Sequence, residues 1–550
     1  MSTPKSSFHK AAAIVVLLAF GLTWARYVLG RIPLDIHNTE WVVGDLAVVY
    51  FAWVQYLADP HSHGLLTQRM SFPLEMNVAL FDPMPIFLIS VGKLAPWVPN
   101  GQYLGWYFVL CVLLQAVFGY LTMGELIKHK SEELGNKTEV LKLLGGCFFV
   151  LAPYSINRFG GHTALASQWI LVASIWTCLR TRDASTAQWL LWNGTLQFVA
   201  SGINPYIAVM TGMTLGTMIF APSHNGALAN RLFRLLALVA VTAIGFYVFG
   251  FMGGASVRGG GYGSFSMNML GPLDSNGDAR LFPLDIPDAT GMQSFEGFNY
   301  LGLGTILLLA SALTIGLRGS RGPVFLPIRP IALLILCAYA LALSTTITLG
   351  HSKLHLMLPD AVETLLNRFR ASGRFFWVSA FWLVAVSIHV LVSRCATRWS
   401  TGLLALFLLI QLVDIAPIGR EVRHALANYR HLSLTPHELA RIPIQTKALI
   451  ALPPWQCSIG RSPGGLRGTE FTGYAAIQLN LPTNNFYAAR TLEEQRKYHC
   501  DMNAALTRVS TDYTYFLYSS IYRRNQTLFD DKFRCEHSES IYNAYICTPK

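Results

Sequence analysis

Two carboxylates and several scattered cations sit where an otherwise apolar chain breaks into long polar segments. Asp45 follows Gly44 at the head of a short apolar helical pattern, and Asp82 stands within Phe81-Asp82-Pro83-Met84-Pro85. Both fall in the segment 30–102, after the first apolar run and before the second. Carboxylates held at a membrane surface suggest chemistry on a substrate that itself lies in the bilayer. The cations come from three places. Asn157-Arg158-Phe159-Gly160-Gly161-His162-Thr163 joins two apolar runs, Lys93 interrupts a third, and Arg368, Arg370 and Arg374 crowd into Asn367-Arg368-Phe369-Arg370-Ala371-Ser372-Gly373-Arg374. A guanidinium is planar and offers several donors, so such a cluster fits a pyrophosphate or phosphodiester better than it fits a solvated surface. Glu296, in Phe295-Glu296-Gly297-Phe298-Asn299-Tyr300, is a candidate for binding an acceptor.

Each of these residues also has a plainer reading. A first-turn acid such as Asp45 is favoured by the helix dipole alone, and an aspartate before proline often makes an Asx-turn. Lys93 can snorkel, a lone histidine such as His162 is more often structural, and Glu296 can be a solvated acid at a helix start.

What positions these groups must be a membrane bundle. Of 550 residues, 52% are hydrophobic and 13% charged, and mean hydropathy is +0.39, a polytopic membrane composition. The net charge of +12 raises nucleic acid as a partner, but most basic residues lie in short loops between apolar runs. That pattern marks topology, so no nucleic acid is expected. Met1–Lys10 is short and basic with no convincing cleavage site after the following apolar run, so the first span is expected to stay uncleaved.

Candidate spans run about 11–29, 103–125, 140–156, 163–179, 187–201, 204–221, 234–252, 299–317, 331–349, 376–393 and 400–418. The run 84–98, short and carrying Pro85, Lys93 and Pro96, is ambiguous. Leaving it out places Lys128, Lys130, Lys142, Arg180, Arg231, Arg318 and Arg394 in cytoplasmic loops, as the positive-inside tendency requires. The expected fold is therefore an all-α polytopic membrane bundle of about 11 transmembrane helices, N-terminus inside, over residues 1–418. A C-terminal α/β domain over 419–550 follows on the extracytoplasmic side.

The long loops 30–102, 253–298 and 350–375 then share the outer face, and loops this long are usually functional. Within the first, Leu46, Val49, Tyr50, Trp53 and Leu57 recur at helical spacing, predicting an amphipathic helix from Asp45 to Leu57 in the headgroup plane. The Gly-rich start of 253–298 lacks the strand-turn-helix context of a nucleotide fingerprint and suits a linker or a lid. Cys457, Cys500, Cys535 and Cys547 form an even set in an oxidising compartment, so one or two disulfides are expected there, with their pairing open.

A first span followed by a long external loop with Gly44-Asp45 before a helix, and then an Asp-Pro-x-Pro approach at Asp82, is similar to the GT-C superfamily of polyprenyl-phosphate-sugar glycosyltransferases. The strings Arg158-Phe159-Gly160-Gly161-His162-Thr163-Ala164-Leu165, Glu296-Gly297-Phe298-Asn299-Tyr300-Leu301-Gly302 and Arg370-Ala371-Ser372-Gly373-Arg374-Phe375-Phe376-Trp377 resemble a bacterial branch of such proteins. The resemblance covers about residues 10 to 420. It implies inverting transfer of a sugar from a polyprenyl-phosphate-linked donor to a periplasmic or cell-surface glycan, lipid or protein, by an enzyme of the bacterial inner membrane.

By the same resemblance Asp45 is the base, and Asp82 is a second candidate catalytic residue. Arg158, Arg370, Arg374 and Lys93 steady the donor phosphate, and His162, Glu296, Tyr300 and Arg368 contact substrate. One departure is that His162 occupies the neighbourhood where relatives often carry a second acid. No compact acidic triad stands out, so no cofactor and no obligatory metal are expected. Two other functions compete. A flippase of lipid-linked sugars should show internal repeats or charge at mid-membrane depth, whereas the spans carry little charge and no obvious repeat. A non-catalytic assembly protein would leave the outward arginines without a purpose.

Overall fold

The computed structural model describes residues 4–92, 101–135, 137–222, 227–252, 262–318, 325–458, 461–488, 490 and 492–550. Helices lie in each of the apolar runs, but the run 331–349 is helical only to Leu343 and then forms the strand Thr346–Leu349 of a hairpin with Ser352–His355. Among the described residues five helices are long and apolar enough to cross a bilayer: Phe8–Leu29, Leu104–Leu126, Leu228–Val248, Ser372–Arg394 and Thr397–Asn428. A sixth is the bent pair Lys137–Val150 and Pro153–Gly160, which turns by 47°. Pro153 accounts for the break, because it lacks an N–H and disfavours the helical conformation in the residue before it. Ala164–Arg180, Pro205–Ile219, Leu303–Leu317 and Ile328–Leu343 are apolar but shorter. The run near 187–201 is a helix, a π turn at Leu190–Gly194 and the helix Thr195–Ile203.

Burial orders these helices. Ser372–Arg394 has 83% of its apolar window buried and forms the centre, whereas Leu228–Val248 has 17% and turns Leu232, Phe233, Leu236 and Val239 outward. A helix that exposes large apolar residues all along one face is suited to lipid. Two buried polar side chains in Thr397–Asn428 serve the backbone of neighbouring segments. Gln411 Nε2 donates to the Leu151 and Leu301 carbonyls, both at 2.9 Å. Asp414 accepts from the amides of Leu281, Phe282 and Leu303 and from the Tyr300 hydroxyl. Irregular backbone at a bundle's edge must be satisfied this way or lose several kcal/mol per group.

The helix Gly44–Leu57 departs from expectation. It buries Leu46 through Trp53 together with Gln55 and Tyr56, so it is enclosed by protein and does not lie on lipid. Its spacing is equally that of a core helix, and what decides is the C-terminal domain packed against it. Phe51 meets Tyr474 edge-on at 4.9 Å and Phe486 at 6.2 Å.

That domain carries a four-stranded mixed sheet in the order 448–452, 513–518, 544–549, 533–537, with the first pair parallel and the rest antiparallel. Alternation separates its faces. Leu449, Ala451, Phe516 and Ile546 pack with Phe471 and Ala475, while Leu452, Tyr515, Leu517 and Cys547 pack with Tyr522, Phe529 and Phe533. Disulfides join Cys457 to Cys500 and Cys535 to Cys547, the second across paired strands.

Candidate active site

Two distant segments converge on Glu296. Arg158, at the end of the bent helix pair, donates from Nη1 to Glu296 Oε2 at 2.9 Å and from Nη2 to the Phe295 and Glu296 carbonyls. Arg374, in the first turn of the central span, grips the same carboxylate with two donors, Nε to Oε2 at 3.0 Å and Nη2 to Oε1 at 2.6 Å. His162 Nε2 lies 2.9 Å from Glu296 Oε1. Its Nδ1 lies 3.4 Å from Oδ2 of Asp45, so the imidazole bridges two carboxylates and only its protonated form donates to both.

The backbone makes this convergence possible. A Cβ on Gly297 would stand 2.3 Å from the Ser266 carbonyl oxygen, and one on Gly373 would stand 3.0 Å from the Gly297 Cα. Asn299 Nδ2 then ties the Gly297 and Gly373 carbonyls together at 3.0 and 2.9 Å. Two glycines let the segments carrying Glu296 and Arg374 cross this closely.

Burial alone would push the Glu296 carboxyl up, but Arg374, the His162 hydrogen bond and Arg158 together hold it well below the usual carboxylate range. It is therefore charged, and occupied by two guanidiniums and an imidazole. Two guanidiniums against one carboxylate leave a positive excess, which Asp45 faces from across His162. Arg374 Nη1 has no hydrogen-bond partner among the described residues, and its guanidinium lies 4.7 Å from the Tyr206 ring centroid. One arginine donor thus remains free to meet an anion.

Asp82 completes the group. Its backbone is left-handed, φ 56°, and Oδ1 accepts from Asn204 Nδ2 at 2.8 Å. Desolvation raises its carboxyl to about 6, the Asn204 bond and the charges of His162 and Arg374 oppose the rise, and Asp45 adds to it. Carboxylates within electrostatic reach of one another, one of them shifted to about 6, are an arrangement suited to proton transfer. A native carboxyl that holds its proton more tightly than the unfolded one loses stability as pH climbs from the ordinary 3.8 to about 6. The unfolding temperature of Asp82→Asn in detergent, taken relative to the wild type at each pH, should therefore rise as pH climbs across that window, because the variant lacks the component that the wild type loses.

Other sequence-nominated residues lie elsewhere. Tyr300 is fully buried and its hydroxyl donates to Asp414 at 2.7 Å, a structural role that leaves it no face for substrate. Glu296 is no solvated helix-start acid, since the next helix begins at Leu303. The arginine trio divides: Arg374 turns inward, while Arg368 and Arg370 are exposed. Arg370 Nη2 reaches the Tyr487 hydroxyl at 3.5 Å, and the Arg368 carbonyl accepts from Arg490. Lys93 lies outside the described residues. Among the described residues no group of three or more His, Cys, Asp or Glu side chains is placed to hold a metal ion.

One contributor was invisible in the sequence. Glu470, from the C-terminal domain, accepts the Gly44 amide at 3.1 Å and the Leu432 amide at 3.0 Å, while Arg467 neutralises it. Beside it, the Tyr474 hydroxyl donates to the Val42 carbonyl at 2.6 Å. Glu470 thereby caps, from another domain, the helix that carries Asp45. Glu470→Ala is expected to cost about 1–3 kcal/mol as a buried bond to a charged group is lost, read as a lower unfolding temperature in detergent.

No curated protein matches the sequence. Several solved structures are similar to the chain at low identity. The Archaeoglobus fulgidus oligosaccharyltransferase tethered to an acceptor peptide matches at a TM-score of 0.45 and 11% identity, over 97% of this chain and 74% of that one. ArnT from Cupriavidus metallidurans in the apo state matches at 0.43 and 11%, over 98% of each chain. AglB from Archaeoglobus fulgidus, in complex with an inhibitory peptide and a dolichol-phosphate, matches at 0.43 and 10%, over 100% of this chain and 75% of that one. Two family profiles match the sequence itself, the domain of unknown function DUF6311 over residues 17–416 and the DUF6311 C-terminal domain over residues 421–549. The chain belongs to the DUF6311 family.

Proposed function

We propose that this protein is an inverting glycosyltransferase that moves a sugar from a polyprenyl-phosphate-linked donor to a cell-envelope acceptor. The observation that carries this reading is the joining of Asp45, His162, Glu296, Arg158 and Arg374 into one cluster at the ends of membrane-spanning helices. It combines a half-exposed carboxylate with a buried, positively biased anchor, which is what cleavage of a sugar–phosphate bond at a bilayer surface needs. The GT-C-like strings Arg158–Leu165, Glu296–Gly302 and Arg370–Trp377 supply the residues of that cluster apart from Asp45.

In this mechanism Asp45 accepts the proton of the acceptor hydroxyl. The acceptor oxygen attacks the anomeric carbon from the face opposite the phosphate, and the sugar–phosphate C–O bond breaks with its electron pair on the departing phosphate. Arg374, through its free Nη1, and Arg370 at the rim stabilise that charge. Glu296 positions the arginines and does not contact the reacting atoms. His162 holds Asp45 toward the cluster, and Asp82, with a carboxyl near 6, exchanges protons close by. Carboxylate help of this kind supplies about 10²–10⁴-fold, and holding donor and acceptor in line supplies much of the rest.

The chemistry belongs to the extracytoplasmic face of the inner membrane in this reading, because the charge bias of the short loops puts the opposite face in the cytoplasm. The flippase reading loses ground on Asp414, a charge within a spanning helix that is committed to four donors of neighbouring segments and offers no binding site for cargo. Mass spectrometry of envelope glycans from cells with and without the protein tests the proposal. A sugar residue missing without the protein and restored by the wild-type chain supports it, whereas identical glycans contradict it.

A further inference from the structure

The segment between the helix Ile328–Leu343 and the arginine-bearing turn at 367–374 points its apolar side chains outward. It opens with an antiparallel hairpin, Thr346–Leu349 paired with Ser352–His355. Residues paired across such strands share a face, so Thr346, Thr348, Lys353 and His355 lie on one face, and Ile347, Leu349, Ser352 and Leu354 on the other. The first face is the one held to the protein. Thr348 is fully buried and its hydroxyl accepts from Gln293 Nε2 at 2.7 Å, while its carbonyl accepts from the Met269 amide at 2.9 Å. Asn268 fixes the tip, donating to the Gly350 carbonyl at 3.0 Å and accepting from the Gly350 amide at 3.2 Å. On the other face Leu349 and Leu354 are left exposed.

The chain that follows keeps this pattern. Leu356 is exposed and Met357 is 94% exposed, and the helix Asp360–Leu366 buries none of its residues. In it Val362, Leu365 and Leu366 share one side, opposite Asp360, Glu363 and Thr364. Exposed apolar side chains gathered in this way mark a contact surface. The patch adjoins a surface suited to lipid, since Leu333 and Leu336 of Ile328–Leu343 are exposed and the hairpin starts at Thr346, directly after that helix. The helix has 16 residues. At about 1.5 Å per residue it reaches about 24 Å, short of a hydrocarbon core of about 30 Å. The outward face of the hairpin extends the same apolar surface toward the missing length. Its depth is limited, because among the described residues Ser352–His355 is paired along one edge only, and the free edge needs headgroups or water as partners.

We propose that residues 346–366 form a wedge seated in the boundary between headgroups and acyl chains, in the leaflet on the side of the candidate active site. Leu349, Leu354, Leu356, Met357, Val362 and Leu365 meet the acyl chains, and Lys353, His355, Asp360 and Glu363 stay among the headgroups. A lipid leaflet fits this patch better than a second copy of the chain does, because the patch continues the lipid-facing surface of a short spanning helix. The wedge leads straight into Arg368, Arg370 and Arg374, so its seating sets the height of those side chains relative to the membrane surface. The inference is independent of the transfer reaction proposed above, because none of the wedge residues belongs to the Asp45–Glu296 cluster and lipid contact needs no substrate.

The test uses the full chain in phosphatidylcholine nanodiscs, with the photoreactive p-benzoylphenylalanine in place of Met357, of Leu365 or, on the polar side of the helix, of Thr364. After irradiation, covalent lipid adducts are read by mass spectrometry of the intact chain. Adducts at Met357 and Leu365 should exceed those at Thr364 by about tenfold, as expected for apolar side chains held in hydrocarbon. Leu354→Asp/Met357→Asp puts charge into the wedge and should lower the adducts at Leu365 by about tenfold. Both substituted side chains are exposed, so unfolding temperatures in detergent should be unchanged, and Met357→Asp alone serves if the pair misfolds. Equal adducts at Met357 and Thr364, adducts at Leu365 unaltered by the introduced charges, or adducts with the mass of two chains in place of lipid adducts would each overturn the proposal.

Discussion

Glu296→Gln is expected to cost the folded protein about 3–5 kcal/mol, because it strips the counter-charge from two buried guanidiniums. Arg158 is 1% exposed and Arg374 10% at the side chain, so neither can recover hydration where it stands. Glutamine keeps the shape and one acceptor oxygen, which isolates the charge from the packing. The measurement is unfolding in detergent followed by tryptophan emission, with Trp377 serving as a local reporter because its ring lies 5.4 Å from the Arg158 guanidinium. The loss should be strongly non-additive. Adding Arg158→Met to Glu296→Gln removes one stranded charge and should recover part of the stability. If Glu296→Gln unfolds within about 0.5 kcal/mol of the wild type, as a substitution on an ordinary surface does, the carboxylate does not hold the cluster together.

The second large effect is catalytic. Asp45→Asn should lower the transfer rate by about 10²–10⁴-fold, the usual worth of a positioned proton acceptor, while leaving stability nearly untouched. The contrast with Glu296 follows from exposure: the Asp45 side chain is 37% exposed and Glu296 7%. Asparagine can still accept from His162 and can still follow Gly44, whose amide Glu470 holds. A rate loss without a stability loss separates a catalytic role for Asp45 from the dipole-favoured first-turn acid that its position also permits.

The sequence showed which residues to consider, and the fold decided how they pair. Arg158, His162, Glu296 and Arg374 could be singled out because charged groups at the ends of apolar helices are costly without a partner. That the partner of both arginines is Glu296, more than 70 residues from either, is a long-range fact that no local pattern carries. The helix after Gly44 was legible from its 3.6-residue spacing, but the same spacing serves lipid and protein neighbours alike, and its neighbour turned out to be the C-terminal domain. Tyr300 was misjudged for a similar reason, since its hydroxyl serves Asp414 across 114 residues of sequence. Glu470 gave no signal because its role is to cap a helix in another domain. The even cysteine count announced disulfides, while the pairing had to wait for the sheet to bring Cys535 opposite Cys547.

The central claim is that Asp45 drives cleavage of a lipid-linked sugar phosphate. It is tested most directly by reconstituting the wild type and Asp45→Asn in liposomes with a polyprenyl-phosphate-linked sugar and an envelope extract as acceptor, and following free polyprenyl phosphate over time. The wild type should release polyprenyl phosphate only when acceptor is present, with Asp45→Asn binding the same donor but releasing about a hundredfold less or lower still. Release by Asp45→Asn at the wild-type rate, or passage of the intact lipid-linked sugar across the bilayer without any cleavage, would contradict it.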